Sequence, residues 1–157
     1  MENPNNKEHK PMGIEENKEI VRIFTERFGR GDNSVFDDMV TTDFLIHYLM
    51  RQGIDNDIDA LKKTNDGGHA AFPDYSIEIV DMIAEDDKVM VIAKRTGTNT
   101  GEFSGLPPTG KTVTMYRMAL YRLENGKIAE GWNLDDYLGQ LLQLGFTLTP
   151  PSLNKGA

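Results

Sequence analysis

The sequence contains no cysteine in 157 residues. That excludes a disulfide framework, a thiolate nucleophile and a zinc–thiolate centre. Histidine is scarce too: His9, His47 and His69 have no spacing that resembles a metal site, so no metal is expected. Basic charge is outweighed, with 17 Lys and Arg against 25 Asp and Glu, a formal net charge of −8. This argues against nucleic acid or an anionic membrane as partner. No apolar run approaches a membrane span, and the opening MENPNNKEHKPMG lacks the apolar centre of a secretory signal. The expected compartment is the cytoplasm.

What is present divides by period. Residues 1–13 read as a flexible tail, 14–146 as one domain and 147–157 as a second tail. Ile20, Val21, Phe24 and Phe28 recur at helical spacing, predicting a helix from Ile14 to Gly29. Val35–Val40 reads as a short helix and Thr41–Met50 as extended chain. Asp55–Asn65 reads as a third helix, with Asp57 near its start and Gly67-Gly68 interrupting it. Then the period changes to two. Tyr75–Ala84, Lys88–Thr98, Thr112–Glu124 and Lys127–Asn133 predict antiparallel strands, with an Asn125-Gly126 hairpin between the last two. Asp135 or Asp136 opens a final helix, Tyr137–Leu144, which Gly145 ends. Helices first and hairpin-linked strands later is an α+β pattern. The third predicted strand is apolar on both sides, with Met115, Ala119 and Leu123 on one and Met118 and Leu120 on the other. Both faces then need covering, and the outer one is expected to meet a second subunit in a homodimer.

Between two strands lies TGTNTGEFSGLPPTGKT, Thr96 to Thr112, where Gly97, Gly101, Gly105 and Gly110 combine with Pro107 and Pro108 to define an irregular rim loop. It contains a formal P-loop match from Gly105 to Thr112. The prolines remove two of the amide donors that phosphates need, and TVTMYRMALY then continues as a strand, so nucleotide binding is not expected.

Histidine and carboxylate positions carry what acid/base chemistry the chain offers. His47 lies in an apolar strand and suits proton transfer if it faces a cavity. His69, near a helix end, and Asp74, in a turn, read first as structural residues. Glu130 alternates away from Asn133 and reads as outward. Of Asp135 and Asp136, both candidate helix caps, Asp136 is the one expected to touch a ligand.

The stretches GTNTGEFSGLPPTGKTV and RLENGKIAEGWNLDDYLGQLLQLG resemble the SnoaL-like polyketide cyclases of the nuclear transport factor 2-like superfamily. The family's pattern there is close to GTHxGxFxGxPPTGKxV followed by dGkixEhWdxxDxxgllxQLG. The resemblance implies a cone-shaped curved antiparallel sheet with about three N-terminal helices on its concave face, around a mostly apolar cavity. It also implies aldol ring closure of a polyketide ester by an acid/base aspartate, without cofactor or metal. Here the EHWD position reads Glu130-Gly131-Trp132-Asn133, and Asn99 stands where the family often has histidine. An amide donates and accepts hydrogen bonds but exchanges no proton near neutral pH. The residues expected to carry the site are therefore His47 and Asp136 as catalytic groups, with Asn133, Trp132, Arg117, Tyr121 and Asn99 around the ligand. Two functions follow. One is cofactor-independent chemistry next to a carbonyl (aldol cyclisation, isomerisation or hydration) on a small hydrophobic carbonyl or ester compound. The other is a non-catalytic small-molecule-binding protein that has lost the aspartate.

Overall fold

The computed structural model describes residues 13–48 and 58–149. His9, Asp55 to Asp57 and most of the two expected tails lie outside these residues. In chain order the elements are α1 Ile14–Gly29, α2 Val35–Asp38, β1 Val40–Tyr48, α3 Ile58–Ala71, β2 Ser76–Glu85, β3 Lys88–Thr98, β4 Thr112–Glu124, β5 Lys127–Asp135 and α4 Tyr137–Leu144. The architecture is α+β, built on a curled, unclosed five-stranded sheet ordered β1-β5-β4-β3-β2.

Strands β2 to β5 pair antiparallel, as hairpins must. Asn125 and Gly126 take φ of 51° and 78°, the positive pair that a tight two-residue hairpin requires. To this antiparallel series β1 adds a parallel edge, joining β5 with His47 paired to Trp132. No hairpin links those two strands, so turn geometry does not dictate their direction. A bulge where Arg122/Leu123 meets Ile128/Glu130 leaves Ala129 as the extra residue, and Ile128 and Ala129 are both buried. Beyond it, Gly131, Asn133 and Asp135 share the inner face of β5.

Helix α1 carries Glu15 and Glu16 in its first turn and Arg27 in its last, the arrangement its dipole favours. It lies across β2 and β3, and a Cβ on Gly29 would come 2.6 Å from Ile77 Cγ2, so only glycine permits that approach. The third helix departs from expectation. Gly67 and Gly68 do not interrupt it, and it runs on to Ala71. Glycine costs a helix roughly 1 kcal/mol, and the buried Leu61, Asn65, Ala71 and Phe72 hold the turns around it. The inner face of the sheet and the helices enclose an aromatic-rich core around Phe24, Phe36, Val91 and Tyr121, and a smaller cluster gathers around Phe72, Val113 and Leu144. Across the sheet, Tyr116, Met118 and Leu134 are exposed.

Candidate functional site

A cavity of about 270 Å³ opens between α1, α3 and the inner face of the sheet. Phe24, Phe28, Phe36 and Phe44 make much of its wall, with Phe24 and Phe28 stacked at 6.0 Å and Phe24 edge-on to Tyr121 at 5.5 Å. Gly67 and Gly68 line it as well, so the absence of side chains there leaves space beneath α3.

Polar groups enter this apolar space from three strands. Asn133 is 3% exposed, and its Oδ1 is buried without a hydrogen-bond partner among the described residues. Two residues on, and so on the same face, stands Asp135. The strand extends past Asn133 because the Asp136 amide still donates to Tyr116 O, at 3.0 Å. Asp135 lies opposite Arg117 in the ladder, with Arg117 Nη1 3.6 Å from its Oδ1. That contact is an ion pair but too long for a hydrogen bond, and Oδ1 is buried with no hydrogen-bond partner among the described residues. A second guanidinium, Arg95 of β3, lies 5.2 Å from the Phe28 ring centroid, and Arg117 faces the same ring at 5.5 Å. Burial, then the like charge of Arg117, push Arg95 down from its ordinary value, and Asp135 works in the opposite direction.

Tyr75 and His69 complete the wall beside α3. Burial pushes the Tyr75 phenol up to about 12, against the hydrogen bond it accepts from Gln140 Nε2 at 2.7 Å. His69 is held below its ordinary value, first by loss of water and then by Arg95. Its Nε2 is buried without a hydrogen-bond partner among the described residues, and the ring meets Tyr75 edge-on at 5.8 Å.

Of the residues expected from sequence, the cavity brings together Asn133, Arg117 and Tyr121. The other four stand elsewhere. His47 and Trp132 stack on each other at 4.8 Å on the opposite face of the sheet, because Phe44 and Ile46 take the inward positions of β1. There His47 Nε2 meets Glu130 Oε2 at 3.2 Å, and Glu130 Oε1 accepts from Arg122 Nε at 2.8 Å. Asp136 caps α4, its Oδ1 accepting from the Gly139 amide at 2.9 Å. Asn99 ties the rim loop to the end of α3. Its Oδ1 accepts from the Thr109 amide and hydroxyl, while its Nδ2 donates to Gly101 O. The P-loop-like lysine, Lys111, donates to Leu144 O at 3.1 Å and so closes the end of α4. Among the described residues no group of His, Asp and Glu side chains is arranged to hold a metal ion, and no helix is long and apolar enough to cross a membrane.

Residues 18–144 match the family described as SnoaL-like polyketide cyclase. The chain belongs to that family. Among solved structures, AclR from Streptomyces galilaeus, provisionally called a hydroxylase, is similar at 26% identity and a TM-score of 0.78, over 89% of this chain and 91% of its own. IdmH from Streptomyces antibioticus, provisionally called a polyketide cyclase, aligns at 26% identity and a TM-score of 0.73, over 83% and 99%. A protein from Acidithiobacillus ferrooxidans with the same provisional description gives 27% and 0.70, over 85% and 97%. No curated protein matches the sequence.

Within the SnoaL-like frame, one departure gains a physical reason. Gly131 stands where the family pattern has histidine, directly opposite Tyr121. A Cβ there would sit 3.0 Å from Ile46 Cδ1 and 3.1 Å from Tyr121 Cε1. Any side chain at this position therefore starts in closer than ordinary contact with Ile46 and Tyr121. Sequence reasoning did not name Arg95, and it read Asp135 as a helix cap and His69 as structural. The alternation of Val89, Val91 and Ala93 extends inward to Arg95, and Asn133 and Asp135 share parity, so two of the three had a readable signal.

Proposed function

We propose that this protein is a SnoaL-like enzyme whose acid/base group has moved two residues along β5, from position 133 to Asp135. The carrying observation is a buried carboxylate on the cavity face with one oxygen free of hydrogen bonds, beside an amide and a guanidinium. The substrate is a small, largely apolar carbonyl compound, as the aromatic walls favour. Asp135 takes a proton from the carbon next to the carbonyl. Arg117 and Asn133 receive the charge that develops on the enolate oxygen, and Tyr121 positions the body of the ligand. In an aldol closure the enolate carbon bonds to a second carbonyl carbon of the same molecule. The proton held on Asp135 then passes to the new alkoxide, which leaves the enzyme unchanged. No cofactor is required for that sequence. His69, a largely neutral imidazole on the α3 wall, is a second proton acceptor within the same cavity.

The exposed apolar face formed by Leu45, Met118 and Leu134, with Tyr116 beside it, supports a homodimer joined sheet to sheet. The reading that competes with catalysis is a ligand-binding protein, favoured by asparagine at position 133. Exchange of the α-protons of a ketone in deuterium oxide separates them. Catalytic acceleration supports the enzyme, and binding without acceleration supports the carrier.

A further inference from the structure

We infer that the cavity is built for a ligand bearing an ionised carboxylate, seated on the edge of Arg95. Arg95 Nε and Nη2 are both buried and have no hydrogen-bond partner among the described residues. In a guanidinium these two nitrogens share one edge, and their parallel N–H bonds match the two oxygens of a carboxylate. The group lines the cavity and lies within 5.2 Å of the Phe28 ring centroid and 5.9 Å of the Tyr75 centroid, contacts that hold its plane. A buried cation with open donors is costly, and a bound anion completes it.

The charge balance points the same way. Arg95 and Arg117 face one buried carboxylate, Asp135. Glu102 lines the mouth but is exposed, and Asp66 acts on His69 from the outer side of α3, where it too is exposed. The cavity is thus cationic inside a chain of net charge −8. With Phe24, Phe28, Phe44 and Phe103 around it, the fitting class is a flat aromatic or polyunsaturated acid rather than its neutral ester. The inference rests on the cavity being the ligand site, as proposed above, and does not depend on catalysis.

Calorimetric titration of benzoate, 1-naphthoate, 2-naphthoate and 4-acetylbenzoate against their methyl esters tests it. At least one acid should bind about tenfold or more tightly than its ester, the scale of a charge-assisted hydrogen-bond pair. Arg95→Met should bring that ratio to about one without lowering the melting temperature, since it removes an unmatched buried charge. Arg95→Lys keeps the charge without the two-pronged edge and should retain only part of the preference. Asp135→Asn should preserve or increase the preference for the acid while removing proton exchange, which separates this inference from the proposed chemistry. The inference is overturned if no acid outbinds its ester, or if the preference survives Arg95→Met. Should Arg95→Met fail to fold, an unchanged ratio in Arg95→Lys overturns it equally.

Discussion

Asp135 and Asp136 are adjacent and chemically identical, yet their surroundings separate them. Asp136 turns to the amide of Gly139 and becomes a helix cap, while Asp135 remains on the strand and faces the cavity. An Asp-Asp pair before a helix offers one cap, and sequence alone does not say which residue takes it. The parity of Asn133 does, once the strand is known to reach Asp135. His47 was unreadable for a different reason. In TTDFLIHYLM apolar residues occupy both parities, so nothing in the pattern says that Ile46 faces in and His47 out. Gly131→His tests the occupancy of the family's histidine space. It should cost roughly 1–3 kcal/mol through overpacking against Tyr121 and Ile46, read as a lower denaturation midpoint, and an unchanged midpoint would show that the space is open. His69 gives a pH prediction. Its folded value lies below the ordinary 6.5, so the unfolded chain binds the proton more readily. The neutral ring therefore contributes stability above about pH 6.5, and that contribution is lost as pH falls through the depressed folded value. Melting temperatures from pH 7.5 to 5 should fall more steeply for the native protein than for His69→Gln, and equal slopes would contradict the assignment.

At the scale of elements, most of the fold was legible because period and punctuation agree. The strands Lys88–Thr98 and Thr112–Glu124 and the helices Ile14–Gly29 and Tyr137–Leu144 run between the boundaries that alternation, Asn-Gly and glycine stops indicate. The parallel seam of β1 on β5 was not legible, since it joins segments about eighty residues apart with no turn to direct them. Nor was the role of the QLG ending. Where β5 stops, the Gln143 side chain continues the ladder, with Oε1 accepting from Thr114 N at 2.9 Å and Nε2 donating to Thr114 O at 2.8 Å. It binds α4 to the edge of β4 as a surrogate strand residue. Gln143→Leu should lower stability by about 1–3 kcal/mol, because two backbone groups lose their partners. Hydrogen exchange at Thr114 should rise in that variant, and unchanged protection would remove the role assigned to Gln143.

For the whole molecule, the two faces of one sheet differ in character. The inner face gathers Arg95, Arg117, Asn133 and Asp135 under an aromatic roof, while the outer face presents Leu45, Met118 and Leu134 to solvent. Sedimentation should find a dimer, and Met118→Glu should shift it to monomer by burying an unpaired charge in the contact; a native monomer would contradict the proposed assembly. Whether the inner face performs chemistry is decided most directly by deuterium exchange at the α-carbon of 2-tetralone, followed by proton magnetic resonance. This ketone carries no carboxylate, so the result is independent of the Arg95 edge. The native protein should accelerate exchange in catalytic amounts, and Asp135→Asn should lose about 10²–10⁴-fold of that acceleration, the usual weight of a general base, while His47→Ala and Asp136→Ala stay within about threefold of native. No acceleration by the native protein, or undiminished exchange in Asp135→Asn, would contradict the relocation of the acid/base group to Asp135.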